Sequence, residues 1–107
     1  MMSTNKITIS GHHVELTQGM KEQVDKKLSP LLEKHKITDI TVILDIEKNE
    51  HMAEATVHIP GHKTLHAKAI TGDMYSSIDE LENKIVVQLD KEHSKQSDHH
   101  KEALKKR

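Results

Sequence analysis

Thr38-Asp39-Ile40-Thr41-Val42-Ile43-Leu44-Asp45-Ile46-Glu47-Lys48 alternates in polarity along its length. In an extended chain Ile40, Val42, Leu44 and Ile46 fall on one face, and Thr41, Asp45 and Glu47 largely on the other. Two runs downstream repeat the pattern. Residues 52–59 set Ala53, Ala55, Val57 and Ile59 against Glu54, Thr56 and His58, and residues 64–70 carry Leu65, Ala67 and Ala69 inward. Asn49-Glu50 and Pro60-Gly61-His62-Lys63 supply the turns between them. Every strand has one apolar and one polar face, so the sheet is covered on one side only.

Upstream, Lys6-Ile7-Thr8-Ile9-Ser10 also alternates and Gly11 closes the run. Thr17 is a good helix N-cap, and Met20, Val24, Leu28, Leu31 and Leu32 follow at helical spacing, predicting a helix over 18–34. Pro30 falls inside it, where the missing N–H predicts a kink; the alternative is a short second helix capped by Ser29. Downstream, Asp73 caps a last helix whose apolar stripe is Met74, Ile78, Leu81, Ile85 and Leu89. From about Ser94 the chain is polar as far as Ala103 and Leu104 and reads as frayed or disordered. The expected organisation is one domain over 1–95 and a disordered basic, His-rich tail over 96–107. The fold class is α+β, in the order β-α-β-β-β-α. It is a four-stranded mixed sheet with both helices packed on one face, opened by a right-handed crossover between parallel strands.

Composition narrows the function. The chain has 107 residues, 34% of them hydrophobic, and Tyr75 is its single aromatic residue. The core must be aliphatic, and a ring-lined pocket for a small-molecule substrate is not expected. With no cysteine, thiolate nucleophiles, thiolate metal sites and disulfides are excluded. No apolar run approaches the roughly 18 residues of a membrane span, and residues 1–6 lack the apolar core of a signal peptide. A soluble, cytoplasmic protein without membrane contact is expected. The formal charge is −1, yet it is unevenly spread. Residues 84–107 hold seven Lys/Arg against four Asp/Glu, while residues 1–83 hold nine against thirteen. A local basic footprint on a near-neutral protein follows.

Ten histidines are the most unusual feature. A zinc site needs three or four converging ligands. His58 and His66 could meet across the last hairpin, but the pattern places no third ligand beside them, and His99-His100 falls in the tail. No cofactor and no metal are expected. None of the serines occupies a glycine-rich elbow, no glycine loop cradles phosphate, and the carboxylates are scattered, so the chain is not expected to be an enzyme. Phosphate neutralisation is the chemistry that remains. On the last helix Lys84, Gln88, Lys91 and Lys95 step by 4, 3 and 4 into one stripe. On the first helix Lys21, Lys27 and Lys34 recur near one face with Lys26 beside them, and two parallel helices are expected to bring the stripes side by side. The open sheet face carries Thr8, Thr41, Asp45, Glu47, Glu54, Thr56, His58 and His66, with no ring on which a base could stack. Binding would thus be directed at the shape and phosphates of folded RNA.

Specific motifs sharpen this. Ala53-Glu54-Ala55-Thr56-Val57-His58, then Leu65-His66-Ala67, then Asp73-Met74-Tyr75-Ser76-Ser77-Ile78-Asp79 with Leu81, Lys84, Gln88, Leu89 and Lys91, resembles the ribosome hibernation promoting factor family. That family includes the ribosome-associated inhibitor called protein Y. The opening Ile7-Thr8-Ile9-Ser10-Gly11-His12-His13-Val14-Glu15-Leu16-Thr17 is similar to its first strand and approach to helix one. The resemblance covers about residues 6–95. It implies a domain that sits in the tRNA and mRNA channel of the 30S subunit, on 70S ribosomes as well, contacts 16S rRNA, inhibits translation and is a monomer when free. Matched position by position, it puts the family's basic sites on Lys21, Lys27, Lys84, Lys91 and Lys95. Pro30 and Val87 stand where members commonly have basic residues, which leaves Lys26 or Lys34 to substitute. The length resembles the short form, and the basic ending Lys105-Lys106-Arg107 leans towards the type that promotes 100S dimers. A ribosome-independent structured-RNA binder and a His-rich metal-binding protein are the alternatives.

Overall fold

The computed structural model describes residues 6–61 and 64–97, with side chains placed through Lys91. The elements are β1 (Ile7–His12), α1 (Gln18–Lys34), β2 (Asp39–Glu47), β3 (Glu50–His58), β4 (Leu65–Thr71) and α2 (Met74–Ser97). They form one sheet in the order β1-β2-β3-β4, parallel between β1 and β2 and antiparallel elsewhere. This is the expected α+β architecture, β-α-β-β-β-α, with a mixed four-stranded sheet.

The alternation read from the sequence sets the register. Ile7 and Ile9 lie beside Ile40 and Val42; Val42 faces Ala55, which faces Ala67. These side chains share one face and form the core with Val24, Leu28 and Leu31 of α1 and Ile78, Leu81 and Ile85 of α2. Strands β3 and β4 offer alanines at 53, 55, 67 and 69, and α2 packs on those two strands. Bulky helix side chains thus meet small strand side chains, an alternation of sizes that lets α2 lie close to the sheet.

Caps and turns follow local chemistry. Thr17 Oγ1 accepts from the Met20 amide at 3.1 Å, and Asp73 Oδ2 accepts from the Ser76 amide at 2.9 Å, so both expected N-caps are in place. Ser77 is fully buried on the core side of α2; its hydroxyl donates to the His51 carbonyl at 2.6 Å and its oxygen lies 2.8 Å from Thr71 Oγ1. That bond ties the first turn of α2 to β3 and leaves the buried hydroxyl satisfied. A Cβ built on Gly11 would stand 2.7 Å from the Val14 carbonyl oxygen and 3.0 Å from the Leu16 side chain. Only glycine lets the chain fold back there towards α1.

Several sequence boundaries move. The strand expected to close at Gly11 runs to His12. The tight turn is Lys48-Asn49, with Lys48 at φ 58°, and Glu50 already pairs with Glu47. β2, β3 and β4 start or end one or two residues from the expected positions. α1 is one helix through Pro30, and Ser29 donates its hydroxyl to Asp25 at 2.9 Å instead of capping a second helix. Pro30 sits one turn before the end of α1, where the helix loses only the bond to the Lys26 carbonyl. α2 continues past Ser94 to Ser97; the tail over 98–107, including His99 and His100, lies outside the described residues, as do His62 and Lys63 of the last hairpin turn.

Candidate nucleic-acid interface

The two helices run parallel, and their seam can be followed step by step. Tyr75 lies over Gly19, where a Cβ would come within 2.5 Å of the phenol oxygen. Four residues further along each helix, Gln23 Nε2 donates to Asp79 Oδ1 at 2.8 Å. One turn on, the Lys27 ammonium lies 3.4 Å from Asp79 and 3.9 Å from Glu82. Lys27, only 32% exposed, is therefore a tie between helices. It can reach a phosphate only by leaving two carboxylates.

The other lysines are carried outward by the same helical geometry. With Gln23 and Lys27 turned to α2, residues Lys21 and Lys26 fall on the far flank of α1, where they line a groove with Ile7 and Ile9 of β1. With Asp79 and Glu82 turned to α1, the stripe Lys84-Gln88-Lys91 falls on the far flank of α2. Lys84 Nζ donates to the Lys68 carbonyl at 2.8 Å and Gln88 Nε2 to the His66 carbonyl at 2.7 Å, so both reach down onto the edge of β4. Lys91 is exposed and makes no ion pair among the described residues. The backbone at Lys95 continues this flank; its side chain lies outside those described.

The expectation of adjoining stripes is thus wrong. Lys21 and Lys26 sit on one outer flank and Lys84 and Lys91 on the other, with Lys27 and the acids Asp79 and Glu82 at the seam between them. Parallel helices that pack through a polar seam must turn their remaining charges away from it, a consequence that periodicity alone does not reveal. Val87, 52% exposed, faces solvent between Lys84 and Lys91, an apolar spot on the outer surface of α2.

The opposite face of the sheet has a different chemistry. His13, at φ 59° in the loop after β1, places Nδ1 3.0 Å from Asp45 Oδ1. The hydrogen bond to Asp45 and the charge of that carboxylate hold the His13 imidazole above its ordinary value of 6.5; desolvation opposes this weakly and Glu47 adds to it. The folded chain binds this proton more tightly than the unfolded chain. The contact is therefore fully formed below pH 6.5 and is lost as pH rises through the raised folded value. In an NMR titration the His13 midpoint should lie above the ordinary imidazole value of 6.5 and drop to it in Asp45→Asn; an unchanged midpoint would show that Asp45 does not hold the proton.

His58 and His66, which could have met across the last hairpin, take separate partners. His58 Nε2 is 3.8 Å from Asp39 and His66 Nδ1 is 3.4 Å from Thr56 Oγ1. Among the described residues no group of three or more His, Cys, Asp or Glu side chains could hold a metal ion, and no helix is long and apolar enough to cross a membrane. Ile43, Met52 and the half-exposed Ile70 also lie on this face, which leaves it aliphatic, acidic and free of aromatic rings.

Residues 7–97 match the family described as sigma 54 modulation protein / S30EA ribosomal protein. The chain belongs to that family. Ribosome hibernation promoting factor of Pseudomonas putida is 43% identical over 93 residues, which cover 85% of this chain and 89% of the relative. The protein of the same name from Salmonella typhimurium is 36% identical over 95 residues, covering 88% and 99%. Among solved structures, a ribosomal subunit interface protein from Coxiella burnetii superimposes with a TM-score of 0.74 at 30% identity, covering 82% of this chain and 97% of that one. The S30EA match runs through all six elements, so the Asp73–Lys91 motif and the two lysine flanks lie within the shared domain.

Proposed function

We propose that this S30EA-family chain is a non-enzymatic ribosome hibernation factor. It occupies the tRNA and mRNA channel of the small subunit on idle ribosomes, inhibits translation there and favours the 100S dimer. Its partners are the 30S subunit and the 70S ribosome, its contact is 16S rRNA, and its place of work is the cytoplasm. The observation that carries this reading is the split basic surface, with Lys21 and Lys26 on one flank of a helical layer and Lys84, Lys91 and the Lys95 position on the other. Relatives that cover most of the chain bear the hibernation name, and the layer between the flanks is two helices wide, about 20 Å. A surface of that width spans an RNA channel and touches phosphates on both of its walls. Gln88 adds a neutral donor on the α2 flank, and Lys27 stays with Asp79 and Glu82.

Sedimentation through a sucrose gradient tests the proposal. The chain is expected to travel with 30S and 70S particles at low salt, and its affinity should fall linearly on a log–log plot against salt. Five lysine contacts give a slope of about −3.5 to −4.5. Absence from both particles at low salt would overturn the reading. Equal affinity for unrelated folded RNAs would favour a ribosome-independent RNA binder instead.

A further inference from the structure

The two outer strands of the sheet are treated differently. The edge of β4 is partly covered, because its carbonyls at His66 and Lys68 accept from Gln88 and Lys84. The edge of β1 is open among the described residues. The Ile40 amide donates to the Lys6 carbonyl at 2.9 Å, so Lys6, Thr8 and Ser10 turn their backbone groups to β2. Both polar groups of a strand residue point to the same side, and those of Ile7 and Ile9 therefore point outward. No described group outside the sheet takes them. Beside this edge runs the groove of about 330 Å³ between β1 and α1, with half-buried Ile7 and Ile9 along it and Lys21, Glu22, Asp25 and Lys26 at its rim. None of these four charges makes an ion pair among the described residues.

We propose that β1 pairs antiparallel with β1 of a second copy, about a two-fold axis at Thr8, to give a homodimer that covers Lys21 and Lys26. An axis at Thr8 sets Ile7 opposite Ile9 of the partner subunit, and Ile9 opposite Ile7 of the partner subunit. Four N–H···O bonds then close the free edge. The isoleucines of both copies meet in the joined grooves, and the two Thr8 side chains face each other on the open side, a favourable cross-strand pair. A two-fold axis brings the same patch against itself. A rim of two cations and two anions is complementary to its own copy. Long uncovered edges invite such pairing, and β1 carries neither the proline nor the inward charge that usually prevents it. The expected free monomer is then the dilute form. If Lys21 and Lys26 serve the ribosome as proposed above, pairing and ribosome binding exclude each other and the dimer is a stored, inactive form.

Sedimentation equilibrium of the full chain from about 1 μM to about 1 mM tests the pairing. The mass is expected to rise from 12.2 kDa towards twice that value, with amide exchange at Ile7 and Ile9 slowing in step. Lys21→Glu/Lys26→Glu should be monomeric because its rim is all acidic, and Glu22→Lys/Asp25→Lys because its rim is all basic. An equimolar mixture should regain the dimer. All four positions are solvent-exposed, and unchanged circular dichroism would verify folding. A monomer at every concentration, or a dimer indifferent to both charge sets, would overturn the proposal. Glu22→Lys/Asp25→Lys keeps every lysine and should still sediment with ribosomes. A wild-type chain that stays monomeric yet binds ribosomes refutes this inference alone, and one that pairs yet binds no ribosome refutes the functional reading alone.

Discussion

Reversing Lys84 and Lys91 together, as Lys84→Glu/Lys91→Glu, is expected to weaken ribosome binding by about 100-fold or more. Each lysine lost from a phosphate removes a hydrogen bond to a charged group, worth about 1.5–3 kcal/mol, and the new carboxylates add repulsion. The two positions differ in a way that makes the result interpretable. Lys84 also covers part of the β4 edge through the Lys68 carbonyl, so its reversal costs some stability. Lys91 is exposed and makes no ion pair among the described residues, and Lys91→Glu alone should lower ribosome affinity by roughly tenfold with an unchanged melting temperature. The readout is the bound fraction in gradient sedimentation at several salt concentrations, where the double variant should also show a shallower salt slope. Wild-type affinity in Lys91→Glu would remove the α2 flank from the interface.

The second large effect is on the fold. Ile78→Ala is expected to destabilise the chain by about 2–5 kcal/mol, because Ile78 is fully buried and the alanines of β3 and β4 beneath α2 cannot move up to fill the space. Domains of this size have about 5–15 kcal/mol in total, and with 34% hydrophobic residues this core has little to spare. A fall in melting temperature of roughly 10–30 °C is expected in calorimetry. A shift of only a degree or two would mean that the sheet collapses onto α2 after all. Val87→Ala on the outer surface of the same helix serves as the control, and should change stability by less than about 0.5 kcal/mol.

The fold was legible because its signals are local. Period-two alternation at Ile40, Val42 and Leu44, helical spacing at Met74, Ile78 and Leu81, and the caps Thr17 and Asp73 each depend on a few neighbouring residues. Boundaries moved where a backbone angle decides, as at Lys48, whose φ of 58° carries no compositional mark. The candidate interface was only half legible. Its residues can be picked from charge and spacing, but their arrangement depends on which face of each helix meets the other. Gln23, Lys27 and Asp79 decide that, and their partnership spans 56 positions in the chain. A lysine at helical spacing looks the same whether it ties two helices, as Lys27 does, or stands free, as Lys91 does. The role of Lys84 and Gln88 as covers of a strand edge was equally invisible, because an acceptor on a backbone carbonyl has no side-chain identity.

The parallel pairing of β1 with β2 dictates the order in which the molecule can assemble. The hairpins β2–β3 and β3–β4 close through short turns, while Ile7 meets Ile40 only after the whole of α1 has been looped out, and loop-closure entropy grows with that length. Contacts between residues distant in sequence form late. The three-stranded meander with α2 is therefore expected to be the folding nucleus, with β1 and α1 docking afterwards, so that Ile9→Val accelerates unfolding while leaving the folding rate nearly unchanged; slowed folding in stopped-flow experiments would refute this order. During synthesis β1 leaves the exit tunnel first and must wait, unpaired, for a strand made some thirty residues later.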